Sequence, residues 1–303
     1  MKILLFGKDG QLGWELQRAL APLGDVVALG SADRKPLDGD LRDVDAIAAT
    51  VRAVAPQWIV NAAAYTAVDR AESEPELADL VNATAVGSLA RAAQASGAAL
   101  VHYSTDYVFD GSGSAPWRED APTSPLNAYG RSKLAGEELV RASGCRHLLF
   151  RTSWVFSARG SNFVRTMLKL ARERDALRVV DDQLGAPTSA ELLADVSAHA
   201  LRRAAADAAV GGTYHVAATG ETSWFDFARH AIARARSRGA TVRIADGAIA
   251  PIASAAYPQA ARRPLNSRLD TSRLRTVFDL HLQPWQAGVD RVVDELTEAK
   301  ESQ

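Results

Sequence analysis

Tyr129-Gly-Arg-Ser-Lys133 brings together the two side chains of this sequence best suited to proton transfer. On a helix, residues four apart share a face, so the phenol and the ammonium would point into the same space. A cation beside a buried phenol favours its ionised form and makes tyrosine a usable proton donor near neutral pH. Taken alone, the spacing more often describes a solvated lysine beside a half-buried tyrosine. Ser104-Thr105-Asp106 changes the balance, because it follows the apolar run Leu100 to Tyr103 and so falls at the carboxyl end of a strand. That edge is where ligands bind in open parallel sheets. Near the start, Gly7-Lys-Asp-Gly10-Gln-Leu-Gly13 separates the first apolar run from the first helical pattern. Glycines there permit a tight turn and close approach of backbone to a pyrophosphate, whose charge the helix amides stabilise. The spacing is GxxGxxG rather than the commoner GxGxxG. Its place in the first turn favours nucleotide binding over a bare turn.

These residues need elements to hold them. Ile3 to Phe6, Val26 to Leu29, Trp58 to Val60, Leu100 to Tyr103 and Leu148 to Phe150 read as buried strands, each followed by a Gly- or Asp-containing turn. Between them, Gln11 to Leu23, Val44 to Val54, Leu77 to Ser96 and Tyr129 to Ala142 repeat apolar residues every three or four positions and read as helices. Alternating strand and helix predicts an α/β fold, a doubly wound parallel sheet of Rossmann type. The second half has a less regular beat: helices over Phe163 to Arg174, Ala190 to Ala206, Phe225 to Arg236 and Trp285 to Leu296, and extended pieces at Leu177 to Val180 and Thr213 to Val216. The expected division is a dinucleotide-binding domain over 1–150 and a smaller, interleaved C-terminal substrate lobe over 151–303. Segments near 210–235 and 280–299 are expected to return to the first domain.

Composition excludes several classes. Of 303 residues, 47% are hydrophobic and 23% charged, an ordinary globular balance. Lys plus Arg at 35 against Asp plus Glu at 36 leaves a formal charge of -1, so no global field attracts nucleic acid or an anionic membrane. The one cysteine, Cys145, can make neither an intrachain disulfide nor a cysteine-based zinc framework, and it fits a reducing compartment. The apolar start is shorter than the roughly 7–15 residues of a signal-peptide core, and charges interrupt every later apolar run. The expectation is a cytoplasmic protein without nucleic-acid or membrane partners.

Several motifs occur together in one order: the GxxGxxG turn, Asn61-Ala-Ala-Ala-Tyr-Thr66, Tyr103-Ser-Thr-Asp-Tyr-Val-Phe109 and YxxxK. Jointly they resemble the extended short-chain dehydrogenase/reductases. Val68-Asp69 with Ala71-Glu72, Arg151-Thr-Ser-Trp154-Val, Ser161-Asn-Phe163, Asp182-Gln183-Leu-Gly185-Ala-Pro187-Thr188, and Ala261-Arg262-Arg263-Pro264 with Ser267 narrow the resemblance. Within that superfamily the chain looks like the dTDP-4-dehydrorhamnose reductase family, over nearly its whole length.

The resemblance implies a catalytic set of Tyr129, Lys133 and Thr105. Tyr129 would protonate the C4 carbonyl oxygen of a dTDP-4-keto sugar as the nicotinamide delivers hydride, and Lys133 would hold the nicotinamide ribose and tune the phenol. Gly7, Gly10, Gln11, Leu12 and Gly13 would cradle the cofactor pyrophosphate, Asp40 and Leu41 the adenine, and Ala64, Tyr65, Thr66 and Tyr103 the ribose and nicotinamide side. The dTDP-sugar would meet Thr105, Asp106, Trp154, Asn162 and Gln183. Its diphosphate suits a guanidinium, from either Arg262 or Arg263. Both arginines also read as surface charges, Trp154 and Phe163 as core, and Asn162 as a helix cap. His102, within an apolar run, reads as a satisfied core histidine and receives no role. No metal site is assigned; magnesium at a dimer contact stays open, with Glu15, Glu191 and Glu295 at matching positions, as does a homodimer.

The second strand ends Ala28-Leu29-Gly30-Ser31, with glycine where NAD-binding folds place a carboxylate for the ribose 2′-hydroxyl. Asp33, Arg34 and Lys35 follow. Loss of the acid and two nearby cations predict NADPH as the preferred cofactor, with NADH still usable. Two other readings remain at this point: a catalytically silent nucleotide-binding subunit, as in the regulatory subunit of methionine adenosyltransferase, and a reductase or epimerase acting on another sugar nucleotide.

Overall fold

A computed structural model describes residues 1–34 and 36–301. Five strands, β1 (Lys2–Phe6), β2 (Asp25–Leu29), β3 (Trp58–Asn61), β4 (Ala99–Thr105) and β5 (His147–Thr152), join the edge strand Gly212–His215 in a six-stranded parallel sheet. From that edge the order is Gly212–His215, β5, β4, β3, β1, β2. The chain therefore leaves β1 in one direction to form β2 and then crosses back to β3, which opens a crevice at the carboxyl ends of β1 and β3. Every residue of β3 and β4 is buried, which is why 58–60 and 99–101 are apolar throughout rather than alternating with polar residues.

One face of the sheet is covered by α1 (Gln11–Leu20), Ala190–Ala206 and Ser272–Phe278, through Leu16, Leu20, Leu193, Leu201, Leu274 and Phe278. The other is covered by α2 (Val44–Val54), Ala85–Ser96 and Ala128–Ser143, through Ile47, Val51, Val86, Leu89 and Val140. The smaller lobe packs Phe163–Glu173, Trp224–Ser237 and Trp285–Glu301 around Phe156, Val164, Phe227, Trp285 and Val289. The return to the large sheet is thus made by 190–206, 212–215 and 272–282, the last including Leu280 and Leu282 of the expected 280–299 segment, and not by 224–235 or 285–299. Periodicity shows that a helix has a buried face, not which partner covers it.

One expected helix is interrupted. Within the span Leu77 to Ser96 the structure has a helix Pro75–Asp79, a π-turn Leu80–Thr84 and a helix Ala85–Ser96. The wide turn frees Asn82, whose Oδ1 accepts from the Tyr65 amide at 2.9 Å and whose Nδ2 donates to the Tyr65 carbonyl and the Ser132 hydroxyl at 3.0 Å. Such π-insertions recur at functional sites. Here the insertion ties the loop after β3 to the helix that carries Tyr129 and Lys133.

Candidate active site

A cleft of about 1090 Å³ follows the carboxyl ends of β1, β3, β4 and β5 and extends into the smaller lobe. At its floor, Gly7 has φ +87, and a β-carbon there would lie 2.6 Å from the Ala63 nitrogen. A β-carbon on Gly13 would lie 1.9 Å from the Gly7 carbonyl oxygen, so the first turn of α1 rests directly on the loop. Gly7, Gly10, Gln11 and Leu12 line the cleft; Gly13 lies beneath it as the packing contact. Gln11 Oε1 accepts from Ser157 Oγ at 3.2 Å and Asn162 Nδ2 at 2.8 Å, bolting a loop of the lobe across the start of α1. The Arg159 guanidinium, 3.9 Å from the centre of the Trp14 ring, closes the same seam.

Asp40 and Leu41 line the far end. The Asp40 carboxylate receives Arg42 at 2.7 Å and Arg34 at 2.8 Å, and the hydrogen bonds from Arg42 hold its carboxyl below the usual range, against burial. Arg34 is therefore engaged rather than free, and Lys35 lies outside the described residues. The acid missing from the strand end is replaced in space: Asp9 Oδ2 sits 1.9 Å from where a Gly30 β-carbon would be. Asp33 bonds the Gly30 amide at 2.7 Å and pairs with Lys8 at 2.6 Å.

Asn127 opens the helix Ala128–Ser143 by accepting from the Gly130 amide at 2.7 Å, which starts the turn that presents Tyr129 and, one turn on, Lys133. The expected phenol and ammonium partnership is only partly present. Lys133 Nζ donates to the Tyr103 carbonyl at 2.6 Å and lies 3.5 Å from His102 Nε2, and burial pushes it down to about 8. The Tyr129 phenol is pushed above its usual range, first by burial and then by Asp106, with a hydrogen bond to Thr105 opposing. Spacing placed both groups on one face, but the lysine extends toward β4 rather than the phenol. Thr105 Oγ1 donates to Asp106 Oδ1 at 3.1 Å. Burial raises Asp106 to about 7 despite hydrogen bonds from Ser267 and Thr105, and its Oδ2 has no partner.

Ala64, Tyr65, Thr66 and Tyr103 line the same cleft, although the hydroxyl of Tyr65 bonds Glu74 at 2.6 Å and that of Tyr103 bonds Ser197 at 2.8 Å. On the lobe side Trp154, at φ +50, stacks on Trp224 with ring centres 3.8 Å apart. Asn162 lines the cleft and also caps its helix. Gln183 does not line it: only 4% exposed, it accepts from Trp224 Nε1 at 3.0 Å and donates to Ser254 Oγ at 2.9 Å, behind the tryptophans. Arg263 lines the cleft while gripping both Asp69 oxygens at 3.0 and 2.7 Å. Arg262 is exposed away from the cleft, and its carbonyl accepts from Asn127 Nδ2 at 2.8 Å.

Sequence reasoning missed Asp9, Arg42, Tyr107 and Trp224 as lining residues. Asp9 lay inside the glycine turn and Tyr107 beside Asp106, so both were findable by neighbourhood; Trp224 gave no local sign. Among the described residues no three His, Cys, Asp or Glu side chains converge as a metal site. Glu15 pairs with Arg18 at 3.4 Å and Glu191 with Arg291 at 2.6 Å, while Glu295 is exposed.

A parallel sheet with a glycine turn at its first crossover, a Tyr-x-x-x-Lys helix and a hydroxyl-bearing strand end in one cleft define a Rossmann-type reductase of the short-chain dehydrogenase/reductase kind. The family described as the RmlD substrate binding domain matches residues 1–298, and the chain belongs to that family. It is 52% identical over 296 residues to the dTDP-4-dehydrorhamnose reductase of Salmonella typhimurium, covering 98% of each chain. It is 48% identical over 300 residues to that of Burkholderia thailandensis, covering 98% of this chain and 99% of the relative. The crystal structure of the Bacillus anthracis dTDP-4-dehydrorhamnose reductase in complex with NADP superposes with a TM-score of 0.87 at 34% identity, covering 97% of this chain and 99% of that one.

Proposed function

We propose that this protein reduces the C4 keto group of dTDP-4-dehydro-L-rhamnose to dTDP-L-rhamnose with a reduced nicotinamide cofactor, the last step in making that sugar nucleotide. The observation that carries this reading is the opening of Thr105, Tyr129 and Lys133 into one cleft with the glycine turn and the Trp154 wall. A silent nucleotide-binding subunit would need no such set.

When bound, the cofactor supplies hydride to C4. The Tyr129 phenol, protonated at rest, gives its proton to the oxygen that becomes alkoxide, a base stronger than phenolate. Thr105 orients that phenol through its hydroxyl, and Lys133 keeps hydrogens for the ribose hydroxyls beyond the one held by the Tyr103 carbonyl. Gly7, Gly10, Gln11 and Leu12 hold the pyrophosphate at the start of α1, with Gly13 securing the turn. Asp40 and Leu41 bound the adenine end; Ala64, Tyr65, Thr66 and Tyr103 bound the ribose and nicotinamide. Asp106, Trp154 and Asn162 face the sugar, and Gln183 supports the Trp154–Trp224 stack from behind. Arg263 meets the diphosphate, which shares its planar fork with Asp69.

NADPH is preferred and NADH is usable in this reading. Arg42, which lines the cleft beside Asp40, offers positive charge to a 2′-phosphate, while Asp9 over Gly30 can accept from a ribose hydroxyl. Arg42→Ala should lower the ratio of kcat/KM for NADPH over NADH; a native preference for NADH overturns the assignment. The cytoplasm, where reduced pyridine nucleotide is regenerated, is the compartment this activity requires. The direct test is anaerobic incubation with dTDP-4-dehydro-L-rhamnose and NADPH, following cofactor absorbance and identifying the sugar. Turnover of another keto sugar but not this one would replace the proposal.

A further inference from the structure

On its inner side Lys133 meets β4 and, through it, β3. His102 of β4 has no exposed surface. Its Nε2 lies 3.5 Å from Lys133 Nζ, and its Nδ1 lies 3.2 Å from Asn61 Nδ2. The orientation of the Asn61 amide is set independently, because Asn61 Oδ1 accepts from the Ala63 amide at 3.2 Å. The end facing the ring is therefore the NH₂ group, which only donates. His102 Nδ1 must accept, and the imidazole proton belongs on Nε2, pointing at Lys133. An ammonium at Lys133 would set donor against donor, whereas a neutral amine offers Nε2–H a lone pair.

We propose that Asn61 and His102 are positioning residues that favour the neutral amine of Lys133 in the cofactor-free protein, so that at alkaline pH binding of the nucleotide ribose is coupled to uptake of a proton at Lys133. The inference rests on the nucleotide-binding reading of the cleft. Burial lowers the basicity of both groups, first and most directly, and Lys133 lowers His102 further. The charged groups nearby do not reverse this. Glu137, one turn on along the same helix, favours the ammonium, but its carboxylate is taken by Arg151 of β5 at 2.7 Å and Arg141 at 3.0 Å. Tyr129 on the same helix keeps its proton; Asp106 beyond the end of β4, raised to about 7, is ionised at alkaline pH but is not among the influences that shift Lys133, which are burial and Glu137. From β3 the facing group is the uncharged Asn61.

The balance is simple: the amine takes one proton from solvent, and the resulting ammonium donates to the Tyr103 carbonyl and to ribose hydroxyl oxygens. Asn61→Asp is the informative variant. Its carboxylate accepts from Nδ1–H, moves the ring proton to Nδ1, and leaves the Nε2 lone pair to accept from an ammonium. Calorimetric titration of NADPH into the protein, in buffers of different ionisation enthalpy, reads the proton uptake. Near pH 9 the native protein should take up about one proton per site, and Asn61→Asp, with native circular dichroism, less than about a third of that. ¹⁵N resonances of the ring, identified by their loss in His102→Gln, report the tautomer without cofactor: Nε2–H in the native protein, Nδ1–H in Asn61→Asp. An Nδ1–H ring in the native protein, or equal proton uptake in both proteins, overturns the proposal. Failure of NADPH to bind the native protein would remove the reading of the cleft, while the ring tautomer would still decide the role of Asn61 and His102.

Discussion

Gly13→Ala tests whether the glycine turn is a built cradle or a loop with room to spare. The added methyl would lie 1.9 Å from the Gly7 oxygen, 2.6 Å from the Gly7 carbon and 3.0 Å from the Lys8 α-carbon. Ordinary contact begins at 3.4 Å, so the first turn of α1 must retreat from the loop by about 1.5 Å. All three neighbours are backbone, and none can swing aside as a side chain would. Overpacking of this kind costs about 1–3 kcal/mol, and a rigid surround puts this site toward the upper end. Thermal unfolding should shift down by several degrees, and the amides proposed to face the pyrophosphate would move with the helix, so NADPH affinity should fall as well. Gly10→Ala is the control. Its φ is -75 and its β-carbon would sit 3.4 Å from the Gly7 oxygen, so the fold accepts it. That methyl would lie at the cleft surface, where the proposed cofactor would bring its phosphate oxygens. Gly10→Ala should therefore keep the native Tm while raising the Kd for NADPH by about tenfold or more, a loss of about 1.4 kcal/mol. Scanning calorimetry with fluorescence titration of NADPH measures both quantities. Gly13→Ala with native Tm and native affinity would refute the packing argument.

Tyr129→Phe should fold and bind NADPH normally but lose about 10²-fold or more in kcat, the contribution of a general acid; near-native turnover in steady-state assays would remove the phenol from the mechanism. Arg263→Ala should raise KM for the sugar nucleotide far more than it changes kcat, because the proposed diphosphate contact would be made both before and during the reaction. Arg262→Ala should change little, since only its carbonyl is used; equal indifference at both would withdraw the diphosphate contact. Asp106 makes a pH prediction. Its folded pKa of about 7 lies above the unfolded value of about 3.9, so its contribution to stability is present below the unfolded value and is lost as pH rises through 7. Asp106→Asn removes that loss, and its Tm gain over the native protein should be larger at pH 8 than at pH 5; the reverse order would contradict a raised carboxyl.

Local features of the chain specified much of this molecule. The central strands β3 and β4 are buried on both sides, so the runs Trp58 to Val60 and Leu100 to Tyr103 stood out without polar alternation. The doubly wound fold followed from their alternation with helices. The glycine turn, Thr105, Tyr129 and Lys133 were legible because each motif lies within seven residues or fewer and at the end of a regular element. Where a helix fixes the geometry, spacing alone decides which side chains share a face.

Tertiary structure decided what spacing could not. Two adjacent arginines are equivalent on paper, but Arg263 is drawn inward by Asp69, 194 residues away, while Arg262 faces outward. Gln183 lies behind Trp224 rather than in the cleft because the two meet only when distant segments fold together. Asp9 fills the space over Gly30, an exchange invisible to a comparison of strand ends. Lys133 turns toward Tyr103 and His102 because the carbonyl of one and the ring of the other lie across from its helix in the assembled sheet. Residue type and period along the chain set the elements and their buried faces. The partner that meets a side chain outside those elements is set by long-range packing, which no local pattern encodes.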